Sequence, residues 1–283
     1  MHSPVFSLEV FPPKNSSPVG TIYDTLDGLE DVHPDFISVT YRQGALADRT
    51  VTARIAKTIN DEYHIPAVAH LTALYNDEQA IDQALDMFEE AGVKAVLALR
   101  GDFIEGVEPC GVFSHASDLA AYISRRKPGM RIYGACYPEC HVEASNLQTD
   151  IDNLKRKIDA GVTRLITQLF YDNADFYRFV DLARARGIDV PIEAGIMPVR
   201  SVKSLERMTS CNGCCLPPAV KAMADRWRDN LPALKQAGMV YASQQIADLV
   251  AHGVDGVHLY AMNRPRTVRK IWANVSPLFD EAA

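Results

Sequence analysis

Apolar runs of six to eight residues recur along the chain, and between them apolar positions return at three- to four-residue spacing. The runs are "VFSLEVF" (5–11), "FISVTY" (36–41), "AVAHLTA" (67–73), "AVLALRG" (95–101), "IYGACYP" (132–138), "LITQLFY" (165–171), "IEAGIMP" (192–198) and "GVHLYAMN" (256–263). Each reads as a strand, and stretches such as 77–91, 146–160 and 173–187 read as the helices between them. Strands separated by helices pair in parallel, because parallel neighbours need a crossover. About eight such units in 283 residues predict an α/β protein with a (β/α)8, or TIM, barrel. A doubly wound sheet that binds dinucleotides would carry G-x-G-x-x-G after its first strand, and neither that motif nor G-x-x-x-x-G-K occurs. Residues 210–240 exceed what one barrel helix needs and predict a helical insert before the last unit. With no internal repeat and no low-complexity linker, residues 1–283 are expected to form a single domain.

The segment "FSLEVFPPK" (6–14) places a carboxylate among apolar residues. Alternation puts Phe6, Leu8 and Val10 on one face and Ser7, Glu9 and Phe11 on the other. Pro12 and Pro13 have no N–H to give and end the ladder, so Glu9 lies near the strand's C-terminal end. In a barrel, catalytic groups gather at that end. Other predicted strands bring polar groups there: Ser38 and Thr40, His70 and Thr72, Arg100 and Asp102, Tyr137 with Glu139 and His141, Gln168, then His258 and Tyr260 before Asn263 and Arg264. Singly, these read as an ion pair, a core histidine or a backbone partner. Together, in a lumen that is usually branched and apolar, they point to a site. The next helix carries Asp150, Asn153 and Lys157 at i, i+3 and i+7, with Arg156 alongside. That stripe reads either as a solvated face with pairs such as Asp152–Arg156 or as a cover for a ligand at the barrel mouth.

Composition narrows the function classes. The balance of 29 basic against 36 acidic residues gives a net charge of −7, and the basic residues form only short clusters such as "RRK" and "KRK". Nucleic acid is not an expected partner. No run approaches the length of a membrane span, and "MHSPVFSLEV" does not read as a signal peptide. A cytoplasmic protein with six reduced thiols is expected. Cys211, Cys214 and Cys215 form a C-x-x-C-C cluster without a second C-x-x-C, so no metal site is expected. No lysine falls at a predicted strand end, which disfavours a Schiff-base aldolase.

The motifs "FSLEVFPPK", "FISVTY", "AHLTA", "LRGD", "ACYPECHVEA", "NLKRKIDAG", "ITQLFYD", "EAGIMPV" and "HLYAMNR" run in an order and spacing that resembles the methylenetetrahydrofolate reductase family, from Phe6 to about Ile271. The resemblance implies a barrel with non-covalent FAD that reduces methylenetetrahydrofolate to methyltetrahydrofolate with electrons from NADH or NADPH. Carried over by position, the FAD contacts are Tyr41, His70, Arg100, Gly101, Asp102, Ala116, Tyr137, His141, Ala144, Asp150, Asn153, Arg156 and Lys157. Thr40 would touch the nicotinamide cofactor, Gln168 both nicotinamide and folate, and Ser204 and Arg264 the folate. Glu9 matches the general acid that opens the imidazolidine ring to an iminium cation before hydride arrives. Asp102 would stabilise that cation and tune the flavin. A homo-oligomer acting in one-carbon metabolism and methionine synthesis is implied.

The chain departs from the family pattern in the loop "RQGALADRT" after "TY", in His115, and in "HVE" where "HPE" is usual. The path of the 42–49 loop over the flavin is left open. A different flavin barrel, resembling proline dehydrogenase, and a flavin-binding subunit of an electron-transfer complex remain as alternatives.

Overall fold

The computed structural model describes residues 3–13, 20–41 and 50–280; the expectation for the 42–49 loop lies outside them. Eight strands close into a barrel in sequence order: β1 (Val5–Val10), β2 (Phe36–Val39), β3 (Ala67–Thr72), β4 (Ala95–Leu99), β5 (Arg131–Cys136), β6 (Val162–Thr167), β7 (Ile192–Ile196) and β8 (Gly256–Tyr260). The described helices are α1 (Gly20–Asp27), α2 (Thr50–Asp61), α3 (Glu78–Glu90), α4 (Ala116–Arg126), α5 (Leu147–Asp159), α6 (Asn173–Ala185), α7 (Val202–Asn212), α8 (Pro218–Arg226), α9 (Leu231–Ala251) and α10 (Pro265–Val275). The (β/α)8 expectation holds. None of the described helices is long and apolar enough to cross a membrane.

One strand is displaced from its expected place. The run 165–171 reads as a strand, but β6 ends at Thr167. Leu169 and Tyr171 instead pack with Val199, Leu205, Cys214, Val220, Ala224 and Leu234 in a separate apolar cluster. Their apolarity reflects this packing rather than strand pairing, and it leaves Gln168 one residue past the strand. Residues 210–240 hold the end of α7, all of α8 and the start of α9.

By internal packing the described residues group into two compact units. Of the described residues, the first comprises 7–13, 20–41, 50–135 and 156–165; the second comprises 3–6, 136–155 and 166–280.

In the first unit the parallel register sets Glu9 beside Ser38 and Ser38 beside Val68, with His70 one inward step further along β3. Both rows of β1 are buried: Leu8 and Val10 on one, Ser7 and Glu9 on the other. Alternation therefore identifies the face of Glu9, and barrel closure makes it an interior face.

In the second unit Glu193 registers on Gly256 and Gly195 on His258. A Cβ at Gly256 would lie 2.9 Å from the Val5 carbonyl oxygen and 3.0 Å from Glu193 Cγ, so glycine makes room for the buried glutamate. The Val5 N–H donates to the Asp255 carbonyl at 3.1 Å, and the Phe6 ring stacks on Trp272 at 4.4 Å.

Candidate active site

Glu9 and His70 form the interior centre of the first unit. Glu9 Oε2 lies 3.5 Å from His70 Nε2, and their side chains keep 10% and 6% exposure. Strands sit about 4.8 Å apart, so groups two strands apart approach this closely only across a concave face. The intervening Ser38 is small and fully buried, which leaves room for the approach. Burial pushes the Glu9 carboxyl up to about 8 and the His70 imidazole down to about 3. At neutral pH both are uncharged, so this is an acid carrying its proton beside an imidazole without a second one, not a salt bridge.

Around that centre the first unit arranges the other expected residues at strand ends. The Thr40 N–H donates to the Val10 carbonyl at 3.1 Å, and the Thr40 carbonyl accepts the Thr52 hydroxyl at 3.0 Å. Tyr41 is buried. The Arg100 carbonyl accepts the N–H groups of Ala73 and Leu74, which extends the β3–β4 pairing past both strands. Gly101 follows with φ of 89°, a region side-chain-bearing residues rarely enter, and it turns the chain so that Asp102 is exposed. The Arg100 guanidinium lies 5.0 Å from the ring centroid of the exposed Phe103. Ala116 is buried at the start of α4, where the Asp118 carboxylate accepts the N–H groups of Ser114 and His115. On α5, Lys157 Nζ donates to the Ala135 carbonyl at 2.8 Å, while Arg156 is exposed.

The second unit gathers the remaining expected residues on three loops and on two helices, α5 and α7. The Tyr137 and His141 rings meet edge-on at 4.6 Å. Asp150 Oδ2 accepts the His141 N–H at 2.8 Å, which ties the loop after β5 to the first turn of α5. Ala144 and Asn153 are half-buried. Cys140, between Glu139 and His141, has φ of 126°, a strained conformation of the kind that costs about 1–3 kcal/mol and concentrates at functional sites. Asp152 pairs with Arg186, the residue that caps the end of α6, at 2.6 Å, so the partner comes from tertiary packing rather than from the i,i+4 Arg156 of its own helix. Gln168 Nε2 donates to Asn212 Oδ1 at 3.1 Å, and Gln168 Oε1 accepts the Leu169 N–H. Ser204 sits in the first turn of α7, its N–H capped by Ser201 Oγ at 3.1 Å. Met262 and Asn263 are both left-handed and turn the chain so that the exposed Arg264 stands at the N-cap of α10.

Several residues outside the expected set join these loops. Burial and the nearby Arg264 charge push the Arg200 guanidinium down, so these two cationic side chains lie near one another. The only sequence trace was the proximity of Arg200 to the α7 start. Glu139 Oε2 accepts the Cys215 N–H at 2.6 Å and joins the β5 loop to the α7–α8 connection. Cys214 is a core residue whose thiol burial pushes up to about 12; Cys211 and Cys215 are exposed. Among the described residues no cluster of three His, Cys, Asp or Glu side chains could hold a metal ion.

The sequence model of methylenetetrahydrofolate reductase matches residues 1–276. The chain belongs to the methylenetetrahydrofolate reductase family. It is 35% identical over 292 residues to a protein named methylenetetrahydrofolate reductase (NADH) 1 from Arabidopsis thaliana, over 98% of this chain and 49% of that one. It is also 35% identical over 259 residues to the 5,10-methylenetetrahydrofolate reductase of Pectobacterium carotovorum subsp. carotovorum, over 91% of this chain and 85% of that one. The chain thus spans about half the length of the plant relative and most of the bacterial one. A solved structure from Clostridium thermocellum, described as binding two copies of 5-methyl-5,6,7,8-tetrahydrofolic acid, superposes with a TM-score of 0.69. It covers 98% of this chain and 96% of its own at 15% identity, which is a likeness of fold.

In this member of the methylenetetrahydrofolate reductase family, the central pair makes stability depend on pH in a defined way. The folded Glu9 carboxyl holds its proton up to about 8 against an ordinary 4.5, so its neutral burial favours folding below 4.5 and that contribution is lost as pH rises through 8. His70 has the opposite sign: its contribution is complete above 6.5 and is lost as pH falls toward 3. Chemical denaturation of the cofactor-free protein is therefore expected to show Glu9→Gln as more stable than the parent at pH 8, with the difference shrinking toward pH 5. A difference that does not vary with pH would contradict the buried, protonated acid.

Proposed function

We propose that this chain reduces methylenetetrahydrofolate to methyltetrahydrofolate with electrons from NADH or NADPH, using non-covalent FAD, with Glu9 as the general acid. The observation that carries the reading is a buried carboxyl that retains its proton to about pH 8, in a chain of the methylenetetrahydrofolate reductase family. Reduction of the closed imidazolidine ring first needs a proton on a ring nitrogen, because only the opened iminium accepts hydride. An ordinary carboxylate would be ionised at pH 7; the Glu9 environment keeps the acid form available, and its residual 10% exposure gives a ligand access to it.

The donor set suits FAD. Arg156 and Lys157 supply positive charge on one helix, and Arg100 supplies a guanidinium beside an exposed aromatic ring. Asp150 keeps a carboxylate at the loop after β5, and the left-handed Gly101 allows close approach of a ligand to the backbone. Tyr41, His70, Ala116, Tyr137, His141, Ala144 and Asn153 complete the proposed holding set, and Thr40 would meet the nicotinamide cofactor. Bound FAD would supply the hydride-carrying chemistry. Asp102 would stabilise the cationic iminium by charge, Gln168 would present its amide to nicotinamide and folate in turn, and Ser204 and Arg264 would hold the folate, with Arg264 facing its carboxylates.

The reading is tested by supplying FAD, NADH or NADPH and methylenetetrahydrofolate, and following methyltetrahydrofolate by chromatography. Product dependent on all three supports it; nicotinamide oxidation without folate product contradicts it. Within this scheme Asp102→Asn is expected to retain FAD but slow the folate half-reaction by about tenfold to a hundredfold. Stopped-flow folate kinetics equal to the parent's would remove Asp102 from the chemistry.

A further inference from the structure

Glu9 and His70 come from β1 and β3 and meet across Ser38 of β2, with Oε2 and Nε2 3.5 Å apart. His70 Nε2 is sealed from solvent and has no hydrogen-bond partner among the described residues. A neutral imidazole has one nitrogen that donates and one that accepts, and a protonated carboxyl has one O–H to give. The carboxyl of Glu9 is the group that the structure pairs with that nitrogen. The separation exceeds an ordinary hydrogen bond, as catalytic contacts often do before a ligand closes the site.

We propose that His70 is a positioning residue for the general acid: its Nε2, in the Nδ1–H tautomer, accepts a hydrogen bond from the Glu9 carboxyl O–H and holds the acid protonated and correctly turned until substrate arrives. The inference rests on the reading of Glu9 as the acid and adds to His70 a role separate from cofactor contact. When the acid acts, the Glu9 O–H bond breaks and an N–H bond forms on the substrate, leaving a carboxylate facing the imidazole lone pair. That arrangement disfavours the ionised acid and drives recapture of a proton from water, which readies the site for another turnover.

Among the described residues of its own unit, the row of this pairing is mostly uncharged; its cations are Arg131 of β5 and Arg164 of β6, whose guanidinium lies 5.7 Å from the Tyr133 ring centroid. The inner row carries Ser7 on β1, Ser38 on β2, Thr72 on β3, and Ala95, Leu97 and Leu99 on β4. The titratable groups of β5 on that row are Arg131 and Tyr133. Desolvation keeps both partners neutral at pH 7, as the pairing requires.

The test is infrared spectroscopy of the cofactor-free protein across pH, with the protonated-carboxyl band of Glu9 assigned by its loss in Glu9→Gln. The parent band is expected to titrate near pH 8. His70→Leu removes the acceptor and is expected to lower that midpoint by about one pH unit and raise the band frequency. His70→Gln keeps an acceptor oxygen and is expected to stay nearer the parent. A His70→Leu midpoint that is unchanged or raised overturns the proposal, as does a His70→Gln midpoint as low as that of His70→Leu. Should His70→Leu not fold, nitrogen-15 NMR of the parent imidazole decides: an unprotonated Nε2 whose shift follows the Glu9 titration supports the pairing, and a protonated Nε2 overturns it. Failure here with Glu9→Gln still losing folate turnover would remove only the His70 role. A Glu9 carboxyl ionised throughout the neutral range would instead strike the general-acid reading itself.

Discussion

Glu9→Gln is expected to lower methylenetetrahydrofolate turnover by about a thousandfold while leaving flavin reduction by the nicotinamide cofactor within about twofold of the parent. The amide keeps the shape and most of the polarity of the buried side chain but cannot release a proton at neutral pH. The nicotinamide half-reaction transfers hydride to the cofactor and requires no proton from this position. The folate half-reaction cannot begin until a ring nitrogen is protonated. Separate stopped-flow measurement of the two half-reactions checks the split. Equal losses in both would make Glu9 a structural or cofactor-binding residue.

Gly195→Ala is expected to destabilise the fold strongly. The Gly195 N–H donates to Thr167 Oγ1 at 2.8 Å, and the Tyr260 hydroxyl donates to the Thr167 carbonyl at 2.7 Å. A methyl group at Gly195 would lie 2.2 Å from that same carbonyl oxygen and 2.9 Å from the Tyr260 hydroxyl. The nearest atom belongs to backbone, so no side-chain rotation relieves the overlap. Strand movement that did so would break these hydrogen bonds. A loss of about 3 kcal/mol or more is expected, read from urea denaturation. A variant within about 0.5 kcal/mol of the parent would show that β6 and β7 separate more easily than their packing indicates.

Much of this organisation is legible from the residues, for physical reasons that differ by position. Strand alternation and the two prolines place Glu9 on a defined face near a strand end, because those constraints act within one short segment. Gln168 is harder to place, since the apolar Leu169–Tyr171 reads equally well as a continuing strand. Only packing against α7, α8 and α9 shows that it is not one. The Asp152–Arg186 pair and the Glu139–Cys215 hydrogen bond join residues far apart in sequence, where local spacing carries no signal. Arg200 carries no local signal for a similar reason: its proximity to Arg264 arises from two loops being brought together. The closeness of Glu9 and His70 likewise depends on barrel curvature and on the small Ser38 between them. Alternation names both residues but does not show that they meet.

The most direct measurement is the visible absorbance spectrum of the FAD-reconstituted protein, recorded anaerobically before and after methyltetrahydrofolate is added. The account predicts an oxidised flavin spectrum that bleaches as the folate is oxidised, and does so far more slowly in Glu9→Gln. A bound flavin that stays oxidised with methyltetrahydrofolate, yet is bleached by another reductant, would contradict the proposed folate chemistry.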